Sequence, residues 1–205
     1  MVKIHIYVEG GGDQNLTLTK CRRGFSQFFK KVLPSDCQPK IIACGSRMQA
    51  YNRFCTALVQ YPDVFCILLV DSEAPVADES NAWTHLKIRD NWDCPDSATD
   101  ENAHLMVQCM ESWFLADRTT LAKFYGQGFN LNALPKQTNI EKISKNDVNQ
   151  GLDAATRHTK TKGKYHKTRH GFDLLSQIEP SRVRQVSEFA ENLCIVLLQK
   201  SDDES

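Results

Sequence analysis

The sequence lacks any apolar run of the roughly 20 residues that a membrane-spanning helix needs. Residues 1–8 alternate between polar and apolar side chains and lead into glycines, which differs from the continuous apolar stretch of a secretory signal peptide. We therefore expect a soluble, cytoplasmic protein that has no membrane partner.

Closely paired cysteines are also lacking, although the chain contains eight cysteines. No two of them form a Cys-x-x-Cys pair, which is the strongest sequence signature of a zinc site. Cys44, Cys66 and Cys109 lie in or beside apolar segments, where a free thiol packs as a small hydrophobic side chain. Because the cytoplasm is reducing, we expect reduced and mostly buried cysteines.

An excess of charge of one sign is absent as well, because 25 basic residues balance 25 acidic ones. Net charge therefore does not identify a partner, and an electrostatic binding surface has to arise from local concentrations of charge. The hydrophobic content of 41% is ordinary for a globular protein, and the length is enough for one well-packed domain.

The order of the predicted elements indicates an α/β fold with a parallel central sheet. Alternating or wholly apolar segments predict strands at residues 2–8, 39–44, 64–70 and 103–109. Helical spacing of apolar residues predicts helices at residues 16–32, 47–60, 79–89, 110–125, 139–157 and 181–200. Such alternation is typical of a sheet of about four parallel strands flanked by crossover helices. We expect residues 1–125 to form this core, and residues 126–205 to form a basic loop and a helical C-terminal extension packed on it, within a single domain.

Acidic side chains follow the first and third predicted strands. Glu9 ends the first strand, and Asp71 and Glu73 come directly after the apolar third strand. Carboxyl ends of parallel strands share one edge of a sheet, so these carboxylates meet there if the two strands are neighbours. Residues two apart in extended chain point the same way, which would place Asp71 beside Glu73. Adjacent carboxylates repel unless a cation separates them, and oxygen ligands suit Mg²⁺ or Mn²⁺.

Three consecutive glycines, Gly10, Gly11 and Gly12, follow the first strand. Without Cβ atoms they would let a phosphate approach backbone N–H groups. The spacing matches neither a Walker motif nor the dinucleotide-binding fingerprint. A simple turn is the alternative for the glycines, and a helix cap is the alternative for Asp71.

The acidic segments resemble the motifs of the Toprim domain, which is shared by topoisomerases, primases, recombination-repair proteins and overcoming-lysogenization-defect nucleases. Val-Glu-Gly at residues 8–10 resembles the first motif, and Asp-Ser-Glu at residues 71–73 resembles the second, with Glu where Asp is commoner. A more specific resemblance rests on residues 108–117 and on the Gly-Lys-Tyr-His-Lys stretch at 163–167. They are similar to a Toprim-related family of small uncharacterised bacterial proteins, often encoded beside AAA-type ATPases in a setting of antiphage defence.

The resemblance implies roles for four carboxylates. Glu9 would be a general acid or base, or a metal ligand, and Asp71 and Glu73 would hold Mg²⁺ or Mn²⁺. Glu111 follows the fourth predicted strand and either completes the site or is an acid favoured by the dipole of the next helix. Asp117 is expected to be an ordinary helix residue.

Positive charge is concentrated between residues 157 and 170, and no acidic residue occurs between Asp153 and Asp173. Such a stretch is suited to nucleic-acid phosphates, and Tyr165 could stack on a base. The cations that we expect to bind substrate, together with the three glycines, are Lys162, Lys164, Lys167 and Arg169. A solvated loop or a lid over a small phosphorylated ligand is the alternative.

These features predict a Mg²⁺-dependent nuclease that hydrolyses phosphodiester bonds of DNA or RNA, as the effector of an ATPase-linked defence system. One alternative is a non-catalytic regulatory subunit of an AAA-type ATPase, which an apolar surface around Trp83 and Trp92 would favour. The other is a small nucleotide phosphohydrolase. The sequence does not decide whether the protein forms a homodimer.

Overall fold

The computed structural model describes residues 2–202 and contains a sheet of parallel strands. The strands are β1 (Lys3–Val8), β2 (Lys40–Ala43), β3 (Val64–Asp71) and β4 (Ala103–Met106). Their order across the sheet is β2-β1-β3-β4. The predicted α/β fold with a four-stranded parallel sheet is therefore confirmed.

Helices cover both faces of the sheet and form most of the C-terminal part. They are α1 (Asn15–Phe29), α2 (Arg47–Gln60), α3 (Ala82–Asp90), α4 (Ser112–Ala116), α5 (Arg118–Tyr125), α6 (Lys145–Thr156), α7 (Phe172–Leu175), α8 (Pro180–Arg184) and α9 (Glu188–Asp202). A π-helical turn at Lys167–Gly171 leads into α7. Among residues 2–202, none of the helices combines the length and the apolar character that a membrane crossing requires.

The central position of β3 explains why its sequence is almost wholly apolar. Successive side chains of a strand point to opposite faces, and both faces of β3 are covered. Ile67 and Leu69 belong to the hydrophobic cluster that contains Phe25 of α1. Leu68 and Val70 belong to the cluster on the other face, with residues of α2 and α3.

The predicted helix at residues 110–125 is in fact two helices, because Asp117 separates α4 from α5. Its side chain accepts hydrogen bonds from Thr120 N (3.1 Å) and Thr120 Oγ1 (2.7 Å), which caps α5. It also accepts from Glu179 N at 3.1 Å, and Asp117 is 1% exposed. The prediction that Asp117 is an ordinary helix residue is therefore wrong.

The predicted helix at residues 181–200 is also interrupted, between α8 and α9. Glu141 Oε1 accepts hydrogen bonds from Ser187 Oγ at 2.6 Å and from Phe189 N at 2.9 Å. A carboxylate that is distant in sequence thus binds backbone and hydroxyl donors at the start of α9, and a new helix begins there.

The chain beyond α5 packs against the helical layer that contains α1. Gly24 of α1 makes this contact close, because a Cβ atom there would lie 2.8 Å from the carbonyl oxygen of Phe172. All eight cysteines are free, and Cys44, Cys66 and Cys109 are buried, as predicted.

Candidate functional site

The adjacency of β1 and β3 brings the predicted carboxylates together. Val8 pairs with Leu69, and the Glu9 N–H donates to Leu69 O at 3.1 Å, so Glu9 follows β1 beside the end of β3. One carboxylate oxygen from each of Glu9, Asp71 and Glu73 lies within 4.8 Å of the other two. The predicted meeting of these three groups, which we call the acidic cluster, is confirmed as geometry.

Glu73 reaches the acidic cluster in a way that the sequence did not indicate. Its backbone has φ of +65°, so the chain turns after β3 and the expected extended geometry is wrong. The Glu73 N–H donates to Gln108 O at 2.8 Å, which holds this turn. A left-handed conformation at a residue with a side chain costs about 1–2 kcal/mol, and such residues are concentrated at functional sites.

The three glycines differ from one another in their surroundings. Gly10 exchanges backbone hydrogen bonds with Gly45, at 2.9 and 3.1 Å, so its N–H is already used. A Cβ atom on Gly11 would lie 3.0 Å from the backbone of Leu18, whereas one on Gly12 would meet nothing within 4 Å. A structural role thus accounts for Gly10, and phosphate binding stays a prediction for Gly11 and Gly12.

Asp71 is the most buried member of the acidic cluster, with 5% of its side chain exposed. Its Oδ1 accepts the backbone N–H of Met110 at 2.8 Å. The pKa of Asp71 is raised to about 7, chiefly by burial and also by the carboxylates of Glu111 and Glu9, while Lys167 and Lys145 act in the opposite direction. Near neutral pH this carboxyl group therefore exchanges a proton, and a divalent cation could take the place of that proton.

Arg47, the first residue of α2, is a site residue that the sequence analysis missed. Its guanidinium lies 3.2 Å from Glu9 Oε2 and also donates to the carbonyl oxygen of Asp71. The remaining nitrogens bind both carboxylate oxygens of Asp90, at 2.6 and 3.0 Å, and the group lies 5.1 Å from the centre of the Trp92 ring. Its position just after the Gly-Ser turn that follows β2, on the same edge of the sheet, is the signal that could have identified it.

Lys145 is a second residue that the sequence analysis missed. It is the first residue of α6, and its Nζ lies 2.5 Å from Glu73 Oε1 and 3.8 Å from Asp71 Oδ2. The Lys145 N–H also donates to Gln108 Oε1 at 3.2 Å. No periodicity or spacing relates residue 145 to residues 71 and 73, so tertiary packing alone brings them together.

Glu111 lies beside the acidic cluster and is 1% exposed. It precedes α4 without capping that helix, accepts a hydrogen bond from Tyr165 Oη at 3.0 Å, and pairs with Lys167 Nζ at 3.3 Å. The same Nζ lies 4.0 Å from Asp71 Oδ2. Burial would lower the pKa of Lys167, but the Glu111 and Asp71 carboxylates raise it, so the ammonium stays charged.

The other predicted substrate-binding cations lie on the surface. Lys164 pairs with Asp153 at 2.6 Å, and Lys162 Nζ lies 4.1 Å from the centre of the Phe124 ring. Arg169 is exposed.

Two predicted aromatic features are not formed, namely a Tyr165 ring that is free to stack and an apolar surface around Trp83 and Trp92. The Tyr165 ring packs edge-on against Phe114, and burial and Glu111 raise the pKa of its hydroxyl group, so Tyr165 is not free to stack on a base. Trp83 and Trp92 are only 5% and 4% exposed, and they do not form the apolar surface that a regulatory subunit would need.

The donor set of the acidic cluster fits a hard divalent cation. It consists of carboxylate oxygens only, which is the chemistry that Mg²⁺ prefers. Neighbouring ligands of an octahedral Mg²⁺ lie about 3.0 Å apart and opposite ligands about 4.2 Å apart, so three oxygens within 4.8 Å would have to move up to about 2 Å closer to bind one ion together.

Comparison with known proteins gives a family but no characterised relative. Neither the curated proteins nor the solved structures contain a match to this chain. A family model described as "Domain of unknown function" matches residues 8–195, a span that includes the acidic cluster, Lys145 and Lys167. The chain therefore belongs to the DUF4276 family.

Proposed function

We propose that this protein is a metal-dependent phosphodiesterase that acts on nucleic acid, with Glu9, Asp71 and Glu73 as the residues that would hold Mg²⁺ or Mn²⁺. The observation that carries the proposal is the convergence of their three carboxylate oxygens within 4.8 Å at the carboxyl edge of the sheet. Ligands bind at this edge in open α/β folds. The convergence of both acidic segments also supports the proposed Toprim relationship.

The residues around the cluster have distinct tasks in this proposal. A bound divalent cation supplies charge stabilisation at a phosphate and lowers the pKa of water. Met110 N–H orients Asp71, and Arg47 orients Glu9 through Oε2. Among residues 2–202 no hydrogen bond reaches Glu9 Oε1, so this oxygen is available either to bind the cation or to act as a general acid or base.

The exposed cations that flank Lys167 in the chain support nucleic acid as the substrate. Lys167 connects residues 157–170, which we call the basic segment, to Glu111, and Lys162, Lys164 and Arg169 are exposed in the same segment. A backbone with regularly spaced phosphates could follow such a surface. The eight free thiols support a cytoplasmic location, where an AAA-type ATPase encoded nearby would be a partner in antiphage defence.

A cleavage assay tests this function. The purified protein is incubated with plasmid, single-stranded DNA or tRNA in Mg²⁺, in Mn²⁺ and in EDTA. We expect metal-dependent cleavage of at least one substrate, and a loss of about 100-fold or more in Glu9→Gln and Asp71→Asn. Glu191→Gln is the matched control, because Glu191 also pairs with an arginine, Arg184 at 2.5 Å, but lies outside the acidic cluster.

Cleavage that persists in EDTA, or that survives in both site variants, would contradict the proposal. Release of phosphate from nucleotides, with all three nucleic acids left intact, would instead identify a nucleotide phosphohydrolase that uses the same carboxylates.

A further inference from the structure

We propose that Lys145 and Lys167 form an exchangeable pair of cations. In the metal-free protein they neutralise the carboxylates, and once a metal has entered they bind the substrate phosphate. This inference rests on the proposed function, because it assigns the phosphate-binding side of the same site.

Both ammonium groups converge on one oxygen. Lys145 Nζ lies 3.8 Å and Lys167 Nζ 4.0 Å from Asp71 Oδ2, and both distances exceed those of a hydrogen bond. In the described part of the chain no hydrogen bond reaches Oδ2, whereas Oδ1 is held by Met110 N–H at 2.8 Å. An oxygen of a carboxylate that is 5% exposed is thus left without a hydrogen-bond partner, although two ammonium groups lie near it. Neither lysine has to break a hydrogen bond to Asp71 in order to bind a phosphate.

The present partner of Lys145 can be replaced, and solvent reaches both lysines. Lys145 is bound to Glu73, which is itself a candidate metal ligand, so a cation that takes Glu73 leaves the Lys145 ammonium without its carboxylate. The Lys145 and Lys167 side chains are 30% and 53% exposed, so a solvent-borne phosphate can reach both ammonium groups. Arg47 differs, because its side chain is 14% exposed and is held by Glu9 and Asp90.

This exchange couples the binding of metal and phosphate. Without phosphate, the two ammonium groups repel an incoming cation and compete for its ligands. When phosphate is bound, its negative charge compensates the two ammonium groups, which then no longer oppose the binding of the cation. The metal therefore strengthens phosphate binding, and phosphate strengthens metal binding by the same factor. A lysine that only neutralised the carboxylates would oppose the metal without any effect on phosphate.

Calorimetric titrations of Mg²⁺ alone, and of inorganic phosphate into the Mg²⁺-saturated protein, separate these cases. We expect Lys145→Met and Lys167→Met to bind Mg²⁺ on the order of tenfold more tightly and phosphate on the order of tenfold more weakly. Opposite changes for the two ligands in one variant are the signature of exchange. Circular dichroism verifies folding, and Lys145→Gln and Lys167→Gln provide a second pair of variants.

Lys31→Met is the matched control. Lys31 also has a 30% exposed side chain and pairs with a glutamate, Glu179, at 3.1 Å. It follows the 15-residue helix α1, which begins just after the glycines and is about 22 Å long, so Lys31 lies far from the acidic cluster. Its replacement should leave the affinities for Mg²⁺ and phosphate unchanged.

Three other outcomes would overturn the exchange, and the third of them would also overturn the metal site. Tighter Mg²⁺ binding with unchanged phosphate binding would overturn the exchange and leave the lysines as simple counter-ions. Unchanged affinities for both ligands would overturn it as well, while the metal site would stand. Absence of Mg²⁺ binding in the wild type and in every lysine variant would overturn the metal site of the proposed function together with the exchange.

Discussion

At the scale of single residues, the candidate site depends on how two buried charges are stabilised. The Asp71 carboxylate accepts one hydrogen bond, from Met110 N–H, and burial is the main cause that raises its pKa to about 7. The Arg47 guanidinium donates hydrogen bonds to the carboxylates of Glu9 and Asp90 and to the carbonyl oxygen of Asp71. Removal of the two charges should therefore have opposite effects on stability.

Asp71→Asn should stabilise the metal-free protein at neutral and alkaline pH. The folded pKa of about 7 lies above the unfolded value of about 3.9, so the folded state binds more protons between these values and wild-type stability falls as pH rises through this window. Asparagine keeps an oxygen for Met110 N–H and does not titrate. Its advantage over the wild type should grow by about 2–3 kcal/mol between pH 5 and pH 8, measured by urea unfolding in EDTA. A difference that does not vary with pH would show that Asp71 does not titrate in this range.

Arg47→Met should destabilise the protein by about 3 kcal/mol, because Glu9 and Asp90 would lose the cation that compensates them. The matched control is Arg184→Met, since the Arg184–Glu191 pair is more exposed and should contribute less than about 1 kcal/mol. Urea unfolding of both variants at pH 7 measures the difference. Equal losses would mean that Arg47 behaves as a surface ion pair.

At the scale of helices, two long apolar patterns are each divided where an acidic side chain accepts hydrogen bonds at the start of a new helix. Asp117 ends α4 and caps α5, and Glu141 accepts hydrogen bonds at the start of α9. Apolar spacing continues across each interruption in the sequence, so periodicity alone predicts one helix where the structure has two.

Asp117→Ala should destabilise the protein by about 2–4 kcal/mol. The change removes the cap of α5 and the acceptor of the Glu179 N–H, which leaves several donors without partners. Asp117→Asn keeps one oxygen and should cost about 1 kcal/mol. Thermal unfolding measures both losses, and Mg²⁺ affinity should stay at the wild-type value. A change in Mg²⁺ affinity would assign Asp117 to the metal site.

At the scale of the whole molecule, the basic segment is near the acidic cluster because the C-terminal part folds back over the helical layer containing α1. Phe172 packs on Gly24, and the turn that precedes it carries Lys167 to Glu111. Lys162, Lys164 and Arg169 remain outside the cluster and face solvent. The surface that would bind a nucleic-acid backbone is therefore separable from the site where chemistry would occur.

Replacement of Lys162, Lys164 and Arg169 with glutamine should weaken the binding of any single-stranded sequence about equally. Each lost phosphate contact lowers the slope of log affinity against log salt by roughly 0.7, so the triple variant should lose about 2 from this slope. Salt titrations in Ca²⁺ compare the variant with the wild type. Metal affinity should persist, because these side chains do not contact the acidic cluster. An unchanged slope would identify a solvated loop.

The periodicity and the apolar runs of the sequence determined the four parallel strands and the helices between them, because side-chain alternation reflects burial locally. They also placed Glu9 and Asp71 at strand ends, where the parallel arrangement makes them neighbours. The contact of Lys145 and the position of Lys167 were decided only by tertiary structure. The partners of these cations are up to 96 residues away, as for Lys167 and Asp71, and no local pattern encodes a contact over such a separation. Packing of the C-terminal part thus supplies the positive charge, whereas the strand order supplies the negative charge.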